Sequence, residues 1–206
     1  HVDIPVAGRA ASVAVTPNGK QLFVALSSED AVAKIDLAKR RVVSRTPVGD
    51  SPRSIRATPD GRYVLVANSG SANVSIIDPA DATEVDRIAV GANPRGARSS
   101  PDGTVAATPN YDEDTLSLID LESLKEKARI PVGDQPRATD FVPDADVVLV
   151  ANFGQGTVTV VDLSSEEVLQ TVDVGPDPVS MAANPDGRSV LVAHQSDGTI
   201  TRLDRE

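Results

Sequence analysis

Short apolar runs rich in β-branched residues alternate with polar turns along the whole chain. Tyr63–Asn68 (YVLVAN) and Asn73–Asp78 (NVSIID) are apolar over most of their length, which is typical of strands buried on both faces. Ser54–Thr58 is shorter and follows a Gly/Pro turn. Glu84–Val90 alternates more weakly and carries charge, as an outer edge strand does. Residues 48–89 therefore predict four consecutive strands.

This four-strand pattern recurs five times with a period of 42 residues and no insertion or deletion. Three residue types mark the period: Val6, Val48, Val90, Val132 and Val174; Pro17, Pro59, Pro101, Pro143 and Pro185; Asp36, Asp78, Asp120, Asp162 and Asp204. A fixed period in this range is typical of solenoids, propellers and arrays. One such sheet cannot bury both faces alone, but sheets stacked around an axis can. We predict an all-β fold, a five-bladed β-propeller of four-stranded antiparallel blades.

The two ends of the chain are complementary in this register. His1–Val6 aligns with the outermost strand, Val43–Val48, and Thr199–Asp204 aligns with a third strand. We therefore expect residues 1–206 to form a single domain in which residues 1–6 complete blade five and close the ring. We also expect a monomer.

The repeat register decides ambiguous stretches. Ala31–Arg41 and Leu121–Ile130 are compatible with helices, but they align without gaps on a strand-and-turn segment of the clearest copy, so we predict strands and a turn. Thr58-Pro59-Asp60-Gly61 fits a tight hairpin with a type I turn. Pro143-Asp144-Ala145 lacks the glycine, and an altered turn is expected in blade four.

Composition narrows the function classes. The net charge of −10 argues against a general nucleic-acid role, which needs a basic surface. The absence of cysteine excludes disulfides, thiolate metal sites and a cysteine nucleophile. No apolar run approaches the ~20 residues of a membrane span, so we expect no membrane insertion.

Leu65-Val66-Ala67-Asn68, with repeats at Leu149–Asn152 and Leu191–His194, resembles the Tyr-Val-Thr-Asn signature of YVTN-type β-propeller repeats. The flanking Val-Gly-x-x-Pro and Pro-Asp-Gly elements are similar to that family too, and the resemblance covers essentially the whole chain. That family includes surface-layer and secreted proteins, lactonase-like enzymes and cofactor-bearing redox subunits. The resemblance therefore implies an extracellular or periplasmic location. Such proteins often have seven blades, and five is a departure.

The repeat separates scaffold from site, because a residue present in every blade serves the blade. The five aspartates that end the third strands are predicted to bond the following turns. Asn68, Asn110 and Asn152 are predicted to cap a loop, with His194 as a substituted structural residue in blade five.

Residues that differ between blades are the site candidates. Arg53, Arg95 and Arg137 follow a proline in blades two to four, and three guanidinium groups at the channel mouth suit a carboxylate or phosphate. The alternative is that they cover the blade edge and pair with Asp50 or Asp134, as weak surface ion pairs.

One position of the innermost strand holds Arg56, Arg98 and Asp140 in blades two to four, where small residues are expected. Since an unpaired buried charge costs about 3–5 kcal/mol, these side chains must pair, bind ions or reach water. Either Arg98 bridges to Asp140 while Arg56 is solvated, or Arg56 and Arg98 hold an anionic ligand.

Blade three deviates most from the repeat. Val105–Pro109 has smaller residues than its counterpart in blade two, and Pro109 removes a ladder donor. The acidic loop that follows, with Asp112, Glu113 and Asp114, is either solvated or a Ca²⁺ site.

Three functions remain open. The first is a non-enzymatic binding module that uses the arginines and Asp140 to recognise a protein segment or small acidic ligand, without catalytic residues or a cofactor. The second is a lactonase-like, metal-assisted hydrolase that uses the acidic loop and Asp140. The third is a scaffold without a ligand, engineered or recently amplified.

Overall fold

The computed structural model describes residues 3–205, which contain nineteen β-strands and no helix, and hence no helix that could span a membrane. The strands form five antiparallel sheets, here called blades one to five in chain order. Each blade is a meander that runs from an innermost to an outermost strand. The all-β prediction is confirmed.

The strand bounds follow the repeat closely. Blade one contains β1 (Ala10–Val15), β2 (Gln21–Leu26), β3 (Ala31–Asp36) and β4 (Arg41–Pro47). Blade two contains β5 (Pro52–Ala57), β6 (Val64–Asn68), β7 (Asn73–Ile77) and β8 (Glu84–Ala89). Blade three contains β9 (Arg98–Ser99), β10 (Val105–Asn110), β11 (Thr115–Asp120) and β12 (Lys125–Pro131). Blade four contains β13 (Pro136–Phe141), β14 (Val147–Asn152), β15 (Thr157–Asp162) and β16 (Val168–Asp173), and blade five contains β17 (Pro178–Ala183), β18 (Ser189–His194) and β19 (Ile200–Asp204).

The two segments that were compatible with helices are strands joined by turns, as the register predicted. The turn of blade four is altered in the expected place. In blade two the positive φ falls on Gly61 (71°), whereas in blade four it falls one position earlier, on Asp144 (56°). Because Ala145 replaces glycine, the left-handed conformation moves to the aspartate, a residue that tolerates it better than alanine.

The core lies between consecutive blades rather than within them. Apolar clusters join blades one and two, two and three, three and four, and four and five. The two central strands of blades two and three contribute to the clusters on both sides, which explains their continuous apolar runs.

Blade five and blade one are not joined in this way. Among residues 3–205, no hydrophobic cluster spans the two blades, and blade five has three strands. Residues 3–6 form no strand; Ile4 and Val6 instead pack against blade one beside Val24 and Ile35. Residues 3–6 therefore do not form the strand that was predicted to complete blade five. Residues 1 and 2, which belong to the same prediction, lie outside the described residues.

The Val-Gly element that precedes the inner strands of blades two to four is a packing requirement. A Cβ at Gly91 would lie 2.6–2.7 Å from the Cβ, Cγ and Nδ2 atoms of Asn110, which is far inside van der Waals contact. Gly133 meets Asn152 in the same way, with a separation of 2.6 Å from Nδ2. Glycine thus allows the loop to close over the buried asparagine.

Candidate functional site

Four of the five repeated aspartates hold turns and are not available as a catalytic ring. Oδ1 of Asp120 accepts the backbone N–H groups of Glu122 and Ser123 at 2.9 and 2.6 Å, and Asp162 repeats this arrangement. Asp36 and Asp78 each accept one turn N–H. These hydrogen bonds, led by those from the Ser123 backbone and hydroxyl, hold the pKa of Asp120 below its usual value.

The asparagine position is also structural. Asn68 Nδ2 donates to Asn73 Oδ1 and Ser75 Oγ at 2.7 and 2.8 Å, and the equivalent bonds recur at Asn110 and Asn152. His194 takes the same place in blade five, where its ring nitrogens contact the Pro176 carbonyl and the Thr201 hydroxyl. The structural interpretation of His194 is confirmed.

The arginines of blades two to four meet at the inner strands. A cavity of about 190 Å³ opens there, and four of the five predicted arginines line it. Its lining includes Arg56, Arg95, Arg98 and Arg137, together with Ser54, Thr139 and Ser180. Arg53 lies on β5 and is close enough to Arg95 to affect its pKa. Thus the structure brings together the arginines that the sequence singled out.

Blade three creates this cavity. Its innermost strand, β9, has only two residues, whereas those of the other blades have six. Pro109 stands opposite the missing part and has no N–H to donate to the ladder. Gly96 and Ala97 lie outside β9 and, with Pro109, line the cavity.

Two of the arginines stack on aromatic rings. The Arg95 guanidinium carbon lies 3.8 Å from the centroid of the Tyr111 ring, and that of Arg137 lies 4.9 Å from the centroid of Phe153. The rings themselves are 6.5 Å apart, and Tyr111 donates from its hydroxyl to Gln135. Stacking fixes the orientation of a guanidinium that would otherwise move freely.

Sequence reasoning missed these rings, although a signal existed. Tyr111 and Phe153 occupy one repeat position, and Arg95 and Arg137 occupy another. Blades three and four thus carry both an arginine and an aromatic residue at these positions, whereas blade two has Arg53 with Ser69. Comparing pairs of positions across blades, rather than single positions, would have singled out this combination, although not the contact itself.

Arg95 is the most constrained of the group. It is half-buried, and its Nε atom is buried without a hydrogen-bond partner. Burial of the guanidinium lowers the pKa of Arg95 below its usual value, and the positive charges of Arg53 and Arg137 lower it further. An unsatisfied cationic donor beside two like charges favours an anion at this place.

Arg98 and Asp140 form the bridge that the sequence suggested. Arg98 Nε lies 3.2 Å from Asp140 Oδ1. The buried carboxylate also accepts the backbone N–H groups of Phe141 and Ala183 at 2.8 and 3.0 Å. Asp140 thus joins blades three, four and five, and it is occupied as a structural acceptor.

Of the five candidate arginines, Arg98 alone forms an ion pair among the described residues. Among residues 3–205, the ion pairs found do not include Arg53, Arg56, Arg95 or Arg137. Among the described residues, no ion pair joins these arginines to Asp50 or Asp134. Arg137 instead donates to Gln195 Oε1 at 3.2 Å, because stacking on Phe153 turns its guanidinium toward blade five.

The acidic loop of blade three does not form a compact group of ligands. Asp112 accepts from Asn93, Asp114 from the Gln135 backbone, and Glu113 from the Ala92 backbone and from Arg129. The Ala92 N–H and the Arg129 guanidinium hold the pKa of Glu113 below its usual value. Among residues 3–205, no group of three or more His, Cys, Asp or Glu side chains is arranged to hold a metal ion.

Three protein-family models match successive parts of this chain, and all describe propellers or propeller-type domains. "Lactonase, 7-bladed beta-propeller" matches residues 3–85, "Cytochrome D1 heme domain" matches residues 54–152, and "YNCE-like beta-propeller" matches residues 105–204. The search of curated protein sequences found no match. Each model matches less than half of the chain, so together they support the β-propeller architecture and no single family.

Solved structures are similar over nearly the whole chain. Kuenenia stuttgartiensis hydrazine synthase matches with a TM-score of 0.80 and 21% identity over 100% of this chain and 70% of that chain. A functionally unknown protein from Desulfotomaculum acetoxidans gives 0.79 and 16% over 97% and 70%. The Myceliophteria thermophila Cps50 (Swd1) β-propeller domain gives 0.82 and 19% over 98% and 67%. At these identities the likeness shows the fold alone.

Proposed function

We propose that this protein is a non-enzymatic binding propeller whose channel mouth recognises a carboxylate or phosphate group. The arginines Arg53, Arg56, Arg95 and Arg137 supply the positive charge, and Arg98 lines the same cavity while paired with Asp140. The ligand is a small acidic molecule or an acidic side chain of a protein segment. This role places the function at the site where the blades differ and leaves the repeated residues to the scaffold.

The observation that carries the proposal is the state of Arg95. Its guanidinium is stacked on Tyr111, flanked by like charges, and carries a buried Nε atom without a partner. The like charges and the unpartnered Nε atom cost free energy in the unbound protein, and an anion that accepts from the guanidinium lowers the repulsion between the charges. Since the stack fixes the side chain beforehand, little further ordering is needed on binding.

The cavity volume restricts the ligand. Pockets for drug-sized molecules span roughly 300–1,000 Å³, and this cavity measures about 190 Å³. It has room for a carboxylate or phosphate group and a few attached atoms. A bulky ligand would have to leave most of its surface outside.

Calorimetry with inorganic phosphate and with citrate, at constant ionic strength, tests this proposal. We expect Arg95→Ala to weaken binding about 10- to 100-fold, since a charge-assisted hydrogen bond contributes about 1.5–3 kcal/mol. The matched control is Arg41→Ala, which removes an equal charge from the exposed start of β4 and should leave affinity unchanged. Equal affinity of all three proteins, or equal losses in both variants, would contradict the proposal.

A lactonase-like hydrolase is the second candidate, because the 7-bladed lactonase model matches residues 3–85. This function would need a metal site, for which Asp112, Glu113, Asp114 and Asp140 are the candidates from sequence. If this function is correct, purified protein loaded with Ca²⁺ should hydrolyse a lactone. That activity should be lost when a chelator is added and in the variant Glu113→Gln. If this protein shows no measurable hydrolysis, the binding function is the remaining candidate.

A further inference from the structure

A second cavity lies beside the one that the arginines line, which we call the arginine cavity. The second cavity measures about 360 Å³ and is lined by residues 153–156, by Asp173 and by residues 175–177. We call it the Phe153 groove. Phe153 lines this groove, and Arg137, which stacks on the Phe153 ring, lines the arginine cavity. The two cavities therefore meet at one stack, in which the guanidinium carbon lies 4.9 Å from the ring centroid.

Blade three has a hydrogen bond at the place where blade four has the groove. The Tyr111 hydroxyl donates to Gln135 Oε1 at 3.0 Å, and these two residues are the repeat equivalents of Phe153 and Asp177. Phenylalanine has no hydroxyl and a carboxylate replaces the amide, so blade four cannot form this bond. Asp177 therefore lines the groove without the partner that its equivalent has.

Gly156 removes a second group that closes this place in other blades. In blades one and three the same position holds Asp30 and Asp114, whose carboxylates accept the backbone N–H groups of Ser51 and Gln135, each at 2.8 Å. Glycine has no side chain that could reach the equivalent N–H group in blade four. The φ angle of Gly156 is 74°, and those of the two aspartates are 48° and 56°. The loop thus keeps its left-handed turn and loses the carboxylate that fills it.

The Phe153 groove carries negative charge without a basic side chain in its lining. Asp173 occupies a position that is proline or alanine in the other four blades. Within the described part of the chain, the carboxylates of Asp173 and Asp177 form no hydrogen bond and no ion pair, and no lysine or arginine lines the groove. Two unpaired carboxylates beside an aromatic ring favour a cation, because the ring face and the carboxylates both attract positive charge.

An organic cation fits this groove better than a metal ion. Residues 3–205 contain no group of three or more His, Cys, Asp or Glu side chains that could hold a metal. An ammonium or guanidinium group needs only one or two carboxylates and gains from contact with an aromatic ring.

We infer that the Phe153 groove binds a cationic group of the same ligand whose carboxylate or phosphate occupies the arginine cavity. This inference rests on the proposed function, because it assigns the other end of that ligand. The ligand is then a zwitterion, either a peptide segment with an acidic and a basic side chain or a small molecule with both groups. In an extended peptide, side chains two positions apart lie on one face about 7 Å apart, which is enough to pass the Arg137–Phe153 stack.

NMR titration of the labelled protein tests this with short peptides whose ends are acetylated and amidated, so that only side chains are charged. The zwitterionic probes are Glu-Gly-Lys and Lys-Gly-Glu, and in the anionic probes glutamine replaces lysine. At constant ionic strength, one of the two zwitterionic peptides should bind about three- to tenfold more tightly than its anionic counterpart. The amide signals of Gly154, Gly156 and Gly175 should shift only with the zwitterionic peptide.

Matched variants locate the gain in affinity. In Asp177→Asn, which keeps a residue type that tolerates the positive φ of 49°, the ratio of the two peptide affinities should fall to about one. The double variant Phe153→Tyr with Asp177→Gln reproduces the bonded pair Tyr111 and Gln135 of blade three. It should also give a ratio of about one, because the groove is then closed. Asp86→Asn removes an equal charge from the exposed part of β8 and should keep the ratio of the unmodified protein.

Titration with inorganic phosphate on the same sample separates the two proposals. If phosphate binds but the zwitterionic and anionic peptides bind equally, the inference is overturned and the proposed function stands. A gain from lysine that survives in Asp177→Asn overturns the inference as well, because the cation then binds elsewhere. If neither phosphate nor any of the peptides binds, the proposed function fails and the inference fails with it.

The source of the zwitterion is decided with ε-aminocaproate, which carries an ammonium and a carboxylate without a peptide backbone. If it binds as tightly as the better peptide, and Asp177→Asn weakens it, the inference holds with a small molecule as the ligand. If it binds more weakly than the peptide, while the peptide shows the expected ratio, the inference holds with a peptide segment as the ligand.

Discussion

Blades two and three are adjacent copies of one repeat, and their innermost strands differ threefold in length. In blade two, β5 has six residues and pairs with β6 from Pro52 to Ala57, whereas in blade three β9 has two. The outer three strands of the two blades pair alike, including the bulge between the third and fourth strands. The difference is confined to the side that faces the axis, where the arginines lie.

The comparison shows how a repeat protein can gain a site at low cost in stability. Blade two has Val64, Leu65, Val66 and Ala67 in β6, all fully buried. Blade three has Ala106, Ala107, Thr108 and Pro109 at the same positions, and they are buried as well. The sheet therefore persists with smaller side chains and one ladder donor fewer, and of these four residues Pro109 lines the cavity beside Arg95 and Arg98.

The largest expected effect comes from exchanging Leu65 of β6 and Ala107 of β10, which occupy the same repeat position in the second strands of blades two and three. Leu65→Ala should lower the free energy of unfolding by about 2–5 kcal/mol, because Leu65 is fully buried between blades two and three. Ala107→Leu should cost about 1–3 kcal/mol by overpacking the cluster around Leu116 and Phe141. Urea denaturation measures both. If Leu65→Ala cost less than about 1 kcal/mol, the interface would have to relax more than its packing suggests.

Pro109→Ala should make blade three resemble blade two. The restored N–H can rejoin the ladder, so β9 should lengthen and the free energy of unfolding should rise by about 0.5–1.5 kcal/mol. Phosphate affinity should fall at the same time, because Gly96 and Ala97 would be drawn back into the sheet. Urea denaturation and calorimetry on the same sample test the coupling. Greater stability with unchanged phosphate affinity would mean that Pro109 does not determine binding at the cavity.

Thr108→Val addresses a smaller difference between the two blades. The Thr108 hydroxyl is buried without a hydrogen-bond partner, and the other four blades have valine at this position. Replacing the hydroxyl with a methyl group of similar shape should stabilise the protein by about 1 kcal/mol. The equivalent change Val66→Thr in blade two should destabilise by a similar amount. Thermal melts at matched concentration would show opposite shifts, and shifts of the same sign would contradict this account.

The smallest expected effect concerns the hairpin turns, in which the two blades are alike. The hydrogen bond from the Ser100 hydroxyl, followed by that from the Thr104 backbone, holds the pKa of Asp102 below its usual 3.8. A carboxyl with a lowered folded-state pKa stabilises the fold above its unfolded pKa and loses that contribution as the pH falls through the folded one. Asp102→Asn should therefore cost about 1 kcal/mol or less at pH 7 and nothing at about pH 2. Denaturation at both pH values checks this, and a cost that stays constant would exclude the carboxylate as its source.

Much of the fold can be predicted from the sequence because each blade is built from local contacts. The turn at Thr58–Gly61 and the apolar runs of the second and third strands are decided within one repeat. Arg98 and Asp140 could be paired from sequence because they occupy one inner position in adjacent blades. The stack of Arg95 on Tyr111 could not be found in this way, since the two residues come from different loops that only the folded blade brings together.

The amino-acid sequence by itself determined the period, the strand order within each blade and the positions that face a neighbour. Those features depend on alternation and turn chemistry over fewer residues than one repeat. The tertiary structure alone decided that residues 3–6 lie against blade one and that Leu191 and Ile200 stay exposed. Closure depends on the angle between neighbouring blades, which results from the packing of whole sheets and accumulates from blade to blade. A small difference in that angle is invisible in any single repeat, yet it decides whether the first and last blades meet.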